Sequence, residues 1–339
     1  MEQTIVYAGL DYHQKGVQIC VLNAQGQVLL NRPVANDWTA IVRAVERGHQ
    51  GGAVRASIEA CSGAANLAEE LVMRAGWHVD LAHAGYVARM KGSPDKSDLS
   101  DAQLLADLER VGYVPRVWMA PEYIVELRRL VRHRRTLVDE RRKAKQRIRA
   151  LLRDGRIAGA PRGPWSLEWC FWVRNVAPLS AQSRWVIEEC FEQLAWVGER
   201  IARSEERLRE VTREDPLVAA LLGEPGIGHV TAWVLRAGVG RFDRFRSARQ
   251  LARFCGASPR NTASGQRQTT AGLVEACDRY LRATLMEAGH RLRRYDAASA
   301  ALAARLGAAG KAPNVITAAV VNRWLRRLWH KMRPLGLAC

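Results

Sequence analysis

The sequence has little of what marks membrane, secreted or nucleotide-binding proteins. None of its apolar runs reaches the length that a membrane span needs, and its first residues contain no apolar signal-peptide core. Its seven cysteines are scattered and include no Cys-x-x-Cys pair, so we expect reduced thiols rather than disulfides or zinc ligands. No glycine-rich phosphate loop occurs, which argues against a nucleotide-binding fold. We therefore expect a cytoplasmic protein that does not contact membranes.

Acidic residues are also scarce, and they are unevenly distributed. The 339 residues carry 52 Lys+Arg against 34 Asp+Glu, and the net charge of +18 indicates a polyanionic partner. Residues 1–115 hold 10 basic and 13 acidic side chains, whereas residues 116–339 hold 42 and 21. A slightly acidic region that could hold cations therefore precedes a strongly basic region that could hold phosphates.

The first region alternates strands and helices. Two β-rich runs, residues 5–10 and 17–22, flank a polar break with Lys15 and Gly16, which is a hairpin signal. The other predicted elements are strands at 28–30, 53–59 and 77–82 and helices at 38–48, 66–75 and about 98–108. This order indicates a mixed α/β sheet of ribonuclease-H-like type.

The next region is predicted to be helical and basic. Residues 123–153 form a long amphipathic helix, and thirteen Lys or Arg but only three acids lie between Arg128 and Arg156. Because like charges repel along a helix, phosphate binding explains this better than a solvated face. A loop at 156–178 and a second long helix at 180–212 would complete an antiparallel coiled-coil hairpin. The basic residues expected to bind nucleic acid here are Arg128, Arg132, Arg135, Arg142, Lys145 and Arg149.

The last region is predicted to be mainly α-helical. Short helices at 217–222 and 229–237 flank Glu224-Pro225-Gly226-Ile227-Gly228, and this arrangement resembles a helix-hairpin-helix element. In such an element the backbone N–H groups around Gly226 and Gly228 would hold a phosphate, although a plain packing corner is the alternative. Further helices are expected at 247–254, 276–293 and 315–328, with a polar loop at 256–268. We predict three domains, at 1–115, 116–214 and 215–339.

Four acids stand where chemistry is expected. Asp11 and Glu59 end two strands, and Asp98 and Asp101 share one face of a helix's first turn. Strand ends and adjoining helix starts converge on one edge of an α/β sheet. Four carboxylates there would repel one another unless divalent cations neutralised them, and two Mg²⁺ ions are the usual solution for phosphodiester chemistry.

A simpler interpretation makes these acids turn and capping residues only. Ser97 or Asp98 would then cap the helix, and acids in a first turn would offset its dipole. Asp95 and Asp107 are nearby substitutes for a misassigned member of the set.

The motifs resemble those of a known family. Leu10-Asp11, Glu59 and Lys96-Ser97-Asp98-Leu99-Ser100-Asp101-Ala102 resemble the four-acid motif of the DEDD transposases. These are the recombinases of the insertion-sequence 110 family, to which the pilin-gene invertases are related. Residues 251–259 and Ser264-Gly265 resemble that family's C-terminal transposase domain. The resemblance covers nearly the whole chain, in the order RuvC-like domain, coiled coil, transposase domain.

This resemblance implies a DNA recombinase with a serine nucleophile. Ser264 would attack a DNA phosphate, form a covalent 5′-phosphoserine link and free a 3′-OH, while Arg260 and Arg267 would hold phosphate oxygens. A serine hydroxyl needs a metal or base beside it, so the two sites would have to meet between subunits. Here Gln266 follows Gly265, where many relatives have a second glycine. The alternative nucleophiles are Ser258, Thr262 and Tyr280.

The resemblance also implies partners. These are double-stranded donor and target DNA, a structured guide RNA encoded by the element, and further copies of the chain in a dimer to tetramer at the nucleoid. Two rival functions remain open. One is a RuvC-like nuclease or Holliday-junction resolvase that uses water and forms no covalent intermediate. The other is a non-catalytic nucleic-acid-binding protein.

Overall fold

The protein consists of two compact units, residues 1–119 and 120–339. The structure, a computed structural model, describes residues 5–48, 52–91, 97–264 and 267–337. The first unit is mixed α/β and the second is mostly helical, which confirms the predicted α/β plus α class. Within the described residues, no helix has the length and apolar character needed to cross a membrane.

A six-stranded sheet forms the centre of the first unit. Its elements are β1 (Ile5–Tyr12), β2 (Gly16–Leu22), β3 (Val28–Ala35), α1 (Trp38–Gly48), β4 (Ala53–Glu59), α2 (Ala64–Ala75), β5 (His78–Ala82), α3 (Ala84–Met90), α4 (Asp98–Arg110) and β6 (Arg116–Val117). The strand order is β3-β2-β1-β4-β5-β6. Strands β1, β2 and β3 are antiparallel neighbours, whereas β4 runs parallel to both β1 and β5. The predicted hairpin and mixed sheet are confirmed, while α3 and β6 were not predicted.

Helices cover both faces of the sheet. Val6, Ala8 and Leu10 of β1 are buried in one cluster with residues of α1 and α2. On the other face, Cys20 and Leu22 of β2 pack against alanines of α4. Burial on both sides explains why β1 reads as a nearly continuous apolar run.

Helix α4 lies directly on the sheet and runs antiparallel to β4. A side chain at Gly9 would overlap the backbone of α4, so only glycine allows this approach. Ser57 donates a hydrogen bond from Oγ to the Leu105 carbonyl (2.8 Å), and Arg55 donates from Nε to Glu109 Oε1 (2.9 Å). The N-terminus of α4 is thereby placed at the carboxyl ends of β1 and β4.

The second unit begins with a long helical hairpin. Its elements are α5 (Glu122–Asp154), α6 (Leu167–Asn175), α7 (Ala181–Val211), α8 (Pro216–Leu222), α9 (His229–Val239), α10 (Ala248–Phe254), β7 (Pro259–Ser264), β8 (Arg267–Leu273), α11 (Arg279–Tyr295), α12 (Ala297–Ala308), α13 (Pro313–Met332) and a 3₁₀ turn (Pro334–Leu337). Tyr123 Oη donates to the Val211 carbonyl (3.5 Å), and Arg134 lies 2.6 Å from Glu205. These pairs show that α5 and α7 are antiparallel, as predicted.

A single core joins the remaining helices of the second unit. Trp233, Phe242 and Trp324 are fully buried in it. Asp215 caps α8 by accepting from the backbone N–H groups at its start, and its Oδ2 lies 2.6 Å from Arg236 Nε. Every oxygen of this buried acid is therefore satisfied.

Two predicted loops were wrong. The segment 156–178 contains α6, because Ser166 caps it and its Trp169 and Val173 are buried against the hairpin. The polar segment 256–268 contains β7 and the first two residues of β8 rather than a loop. The two strands satisfy each other's backbone groups, so a Ser- and Thr-rich sequence can form a hairpin without an apolar pattern. The alanine-rich helix α12 was also not predicted.

Candidate functional site

Two of the predicted acids end neighbouring parallel strands. In the register of β1 and β4, Leu10 lies opposite Ile58, so Asp11 and Glu59 follow at the same edge of the sheet. Both side chains are half-buried. The sheet topology therefore brings together two acids that lie 48 positions apart in the sequence.

The N-terminus of α4 brings the other two acids to this edge. Asp98 is its first residue and 52% of its side chain is exposed, whereas only 11% of the Asp101 side chain is exposed. Ser97 occupies the capping position, but its hydroxyl makes no capping hydrogen bond; the backbone carbonyl of Ser97 instead accepts from Ser100. The predicted serine cap is therefore wrong.

His13, in the turn after β1, joins the acids and was not predicted. Its Nε2 lies 3.2 Å from Asp11 Oδ2 and 3.5 Å from Asp98 Oδ2. One ligand atom from each of the three residues lies within 4.8 Å of the others, a separation that allows them to share a cation. The apolar run of β1 gave no signal for His13, because the closeness of His13 to Asp98 arises only from the packing of α4 on the sheet.

Lys91, which follows α3, was also missed. Its Nζ lies 2.5 Å from Asp101 Oδ2. The hydrogen bond with Asp101 raises the pKa of Lys91, and the negative charges of Asp101, Glu59 and Asp11 raise it further. The charges of three of the four predicted acids therefore all stabilise the protonated form of Lys91.

The electrostatics of Asp11 show crowding of like charges. Burial raises the pKa of Asp11 above its usual value; His13 lowers this pKa, and the charges of Asp98 and Asp101 raise it. Burial and neighbouring negative charges destabilise the ionised form of a carboxylate, and a bound cation would stabilise it. Half-buried carboxylate oxygens also match the ligand preference of hard divalent ions. The residues present therefore fit a divalent metal.

A second group of metal-ligand types lies at the other end of α4. His78, Asp80 and Glu109 also place ligand atoms within 4.8 Å of one another. Here, however, Arg116 lies 2.5 Å from Asp80 and Arg55 lies 2.9 Å from Glu109. Each of these two acids therefore pairs with a guanidinium group, although burial raises the pKa of Glu109 and its Oε2 accepts no hydrogen bond from the described residues.

The predicted nucleophile lies in the second unit. Ser264 is the last residue of β7 and its backbone pairs with Arg267, but its side chain, like those of Arg267 and Thr262, lies outside the description. Gly265 and Gln266 lie outside the described residues, as does Asp95.

The other residues weighed for this chemistry have described partners. Ser258 Oγ accepts from Asn322 (3.2 Å), and the ring of Tyr280 lies under Arg135 (4.8 Å). Arg260 lies 3.4 Å from Glu275. The substitute acid Asp107 forms a salt bridge with Arg110 three positions on in α4.

The predicted nucleic-acid-binding residues occupy different environments. Arg128 donates from Nε to the Ala237 carbonyl (2.8 Å), and burial lowers its pKa. Arg135 pairs with Asp139 at 2.8 Å. Arg142, Lys145 and Arg149 line one cavity on α5, Arg132 lines another, and Gly226 and Gly228 form the turn before α9.

Comparisons with known proteins agree with this arrangement. A family model of the IS110 DEDD transposases, described as a transposase, matches residues 8–156. A second model, described as the transposase IS116/IS110/IS902 family, matches residues 218–304. The two models include the edge with Asp11 and the segment around Ser264 respectively.

Curated relatives match along most of the chain. A protein of Pseudomonas aeruginosa, described as a probable family 20 transposase, is 30% identical over 283 residues, which is 80% of this chain and 82% of the relative. A transposase for insertion sequence element IS1328 of Yersinia enterocolitica is 25% identical over 276 residues, again 80% of this chain and 82% of the relative. The transposase for insertion sequence element IS1111A of Coxiella burnetii is 26% identical over 291 residues, 85% of this chain and 78% of the relative.

The fold, the acidic edge and these matches define a DNA transposase, an enzyme whose partner is DNA. The chain belongs to the IS116/IS110/IS902 transposase family, which confirms the resemblance seen in its motifs. The DEDD class of its first match is consistent with a divalent metal at an acidic cluster.

Proposed function

We propose that this transposase cleaves and exchanges DNA strands with Mg²⁺ held by Asp11, Glu59, Asp98 and Asp101, through a covalent phosphoserine at Ser264. One observation carries the metal site. The acids come from two strand ends and a helix start, and burial, together with the charges of Asp98 and Asp101, raises the pKa of Asp11. Capping alone does not require four carboxylates at one edge.

The residues at this edge have two different roles, metal binding and the positioning of the metal ligands. The four carboxylates would hold two Mg²⁺ ions, whose chemistry is to activate an attacking oxygen and stabilise a leaving one. His13 orients Asp11 by lying against its Oδ2, and Lys91 holds Asp101 in the same way. Because both contacts restrict carboxylate rotation, they prepare the ligands before a cation binds.

The proposed covalent step conserves atoms and charge. Ser264 Oγ forms a bond to the phosphorus, and the bond from phosphorus to the 3′ oxygen breaks. A carboxylate of the acidic site accepts the serine proton and passes it to the departing 3′ oxygen, which becomes a 3′-OH. The hydroxyl must reach an acidic site to be activated, which we propose occurs between subunits of a dimer or tetramer.

Strand order supports a RuvC-like first domain. The order β3-β2-β1-β4-β5, with three antiparallel strands and then two parallel ones, is the one expected for a ribonuclease-H-like sheet. We retain the proposed domains 1–115, 116–214 and 215–339, with the hairpin of α5 and α7 as the middle one. Their first boundary lies four residues before the division between the two compact units.

The turn between α8 and α9 supports a phosphate-binding helix-hairpin-helix element. Gly226 has a left-handed φ of 77°, and Gly228 precedes the first turn of α9. A cavity of about 270 Å³ beside this turn is lined in part by Arg209, His229 and Arg291. Backbone N–H groups together with guanidinium groups suit a DNA phosphate, without base readout.

The positive charge of α5 supports binding of a second polyanionic partner in addition to DNA. Thirteen Lys or Arg within residues 128–156 exceed what one helix needs for solubility. We propose that a structured guide RNA encoded by the element binds along this helix and supplies the sequence choice that phosphate contacts lack.

A denaturing gel separates the proposed function from its rivals. The full chain is incubated with labelled DNA carrying an element end, the RNA that copurifies with it, and Mg²⁺, and is then denatured. We expect a covalent protein–DNA adduct that Ser264→Ala abolishes and Ser258→Ala preserves. Free cut ends without an adduct would instead indicate the RuvC-like nuclease.

The metal requirement is tested in the same assay. EDTA and Asp11→Asn should both abolish cleavage, whereas Glu69→Gln, a change at an exposed acid of the same unit, should not. Intact DNA under every condition, with binding retained, would support a non-catalytic binding protein. An adduct that survives in Ser264→Ala would move the nucleophile to another hydroxyl.

A further inference from the structure

A cationic pocket on the helical hairpin has no role in the proposed cleavage chemistry. We call it the Trp165 pocket; it has a volume of about 320 Å³ and is lined by Val138, Arg141, Arg142, Lys145, Gln146, Arg149 and Trp165. Six of these residues follow one side of α5 at helical spacing, and Trp165 closes the pocket from the connector before α6. The volume lies in the range of small-ligand sites.

The Trp165 pocket carries more positive charge than the acids beside it balance. Arg142 lies 3.4 Å from Asp139, which also pairs with Arg135. Within the described ranges, no acid lies within salt-bridge distance of Arg141, Lys145 or Arg149. Four cations within nine residues of one helix repel one another, so an anion bound among them would relieve that repulsion.

Trp165 is held in an unusual conformation. Its φ is 74°, and only one other non-glycine residue in the described part of the chain, Arg156, has a positive φ. Such a conformation costs free energy in a bulky residue and is typical of ligand-binding positions. The half-buried indole packs against Trp169, with ring centroids 4.7 Å apart, and Lys145 Nζ lies 4.5 Å from the Trp165 ring.

We propose that the Trp165 pocket binds one unpaired nucleotide of a nucleic-acid strand. The base stacks on the indole in place of the Lys145 ammonium, and the freed Lys145 joins Arg142 and Arg149 on the flanking phosphates. Stacking on an aromatic side chain together with a cationic groove is how proteins hold single strands. A base in an intact duplex stays stacked on its neighbours and does not reach the indole. This inference rests on the proposed function, because it assumes a nucleic-acid strand at the hairpin.

Binding of short oligonucleotides to the full chain tests the pocket. Fluorescence anisotropy compares a labelled 20-nucleotide single-stranded RNA, a single-stranded DNA of the same sequence and a 20-base-pair duplex. Trp165→Ala should weaken single-strand binding at least about tenfold and duplex binding less than about twofold. Trp196→Ala is the matched control, because Trp196 also contacts an arginine on this hairpin, Arg200 at 5.1 Å, but does not line the pocket; it should change neither.

The conservative variant separates stacking from folding. Trp165→Phe keeps an aromatic face and should retain most single-strand binding, even if the alanine variant proves too unstable to assay. A loss confined to the RNA or to the DNA oligonucleotide supports the pocket and identifies the strand that it takes.

Two results would overturn the proposal that the Trp165 pocket binds an unpaired nucleotide. One is single-strand binding that is unchanged in Trp165→Ala, and the other is an equal loss on the duplex. Neither result affects the Ser264 adduct on the denaturing gel, so failure of the pocket is distinguishable from failure of the cleavage mechanism.

Discussion

The two units of this transposase use acidic side chains in opposite ways. In the first unit, Asp11 lies beside Asp98 and Asp101, and burial and these charges raise its pKa. In the second unit, the buried Asp215 caps a helix and pairs with Arg236 at 2.6 Å. An acid whose oxygens all have hydrogen-bond or ionic partners stabilises the fold. Acids that lie close together with fewer partners repel one another, and a bound cation relieves that repulsion. How completely its carboxylates are partnered therefore distinguishes the candidate catalytic edge from a structural ion pair.

Basic side chains show the reverse contrast. In the first unit, Arg55 and Arg116 pair with buried or half-buried acids. In the second, Arg141, Lys145 and Arg149 line one pocket, and none of these three has an acid within salt-bridge distance among the described residues. The acids come together only through the fold, while the bases are already neighbours along one helix.

The strongest test of the contrast is removal of one charge at the acidic edge. Asp11→Asn keeps the size of the side chain but loses a metal ligand. Metal stabilisation of a phosphoryl transition state amounts to several kcal/mol, so cleavage should fall about 1,000-fold or more. Gel-based cleavage rates measure this, and DNA affinity should change less than about twofold. A variant that cleaves within tenfold of the original chain would remove Asp11 from the site.

Removal of the partnered acid should instead damage the fold. Asp215→Ala leaves Arg236 buried without its partner and two backbone N–H groups of α8 without a cap. Breaking a buried pair costs about 3–5 kcal/mol, measurable by urea denaturation. Asp139→Ala is the control, because its pair with Arg135 is more exposed and should contribute less than about 1 kcal/mol. Equal losses in the two variants would erase the distinction between buried and surface acids.

The approach of α4 to β1 links the acidic edge to packing. Gly9→Val forces a side chain into the backbone of α4 and should lower the free energy of unfolding by about 3 kcal/mol or more. Gly198→Ala in α7 is the matched control, since a methyl group there meets nothing within 4 Å. It should raise stability by about 0.5–1 kcal/mol, through helix propensity. A valine at position 9 that leaves thermal denaturation unchanged would show that α4 does not rest on β1 as described.

The smallest expected effect concerns the histidine beside the acids. His13→Gln removes an imidazole 3.2 Å from Asp11 and should raise the Mg²⁺ concentration needed for half-maximal cleavage about tenfold. His78→Gln is the control, because His78 lies 3.4 Å from Asp80 in the cluster whose acids pair with arginines. If the two variants shift the Mg²⁺ requirement equally, the cluster around Asp80 takes part in metal binding too.

Local patterns were enough to predict the main elements. Runs of strand-forming residues identified the strands that became β1, β2 and β4, and helical spacing identified α5 and α7, because each pattern reflects neighbours along the chain. The strand-end positions of Asp11 and Glu59 followed from these elements. Strand topology then places both acids at one edge without further assumption.

Features made by distant packing were missed. His13 meets Asp98 only because α4 lies on the sheet, and Lys91 reaches Asp101 from the end of α3. The hairpin of β7 and β8 has too few apolar residues for a strand pattern. Trp165 lies in a segment that reads as a loop, and its positive φ is not encoded by any glycine. Such features depend on tertiary contacts that a single sequence does not display.

Direct titration of the protein with a metal ion tests whether the edge with Asp11 binds a divalent cation. Isothermal titration calorimetry of the full chain with Mn²⁺, which shares the carboxylate preference of Mg²⁺, measures binding without DNA or catalysis. We expect Asp11→Asn and Asp98→Asn each to abolish or strongly weaken a binding event that Glu69→Gln preserves. Identical Mn²⁺ isotherms for the unaltered chain and for a variant lacking both Asp11 and Asp98 would show that this edge holds no metal.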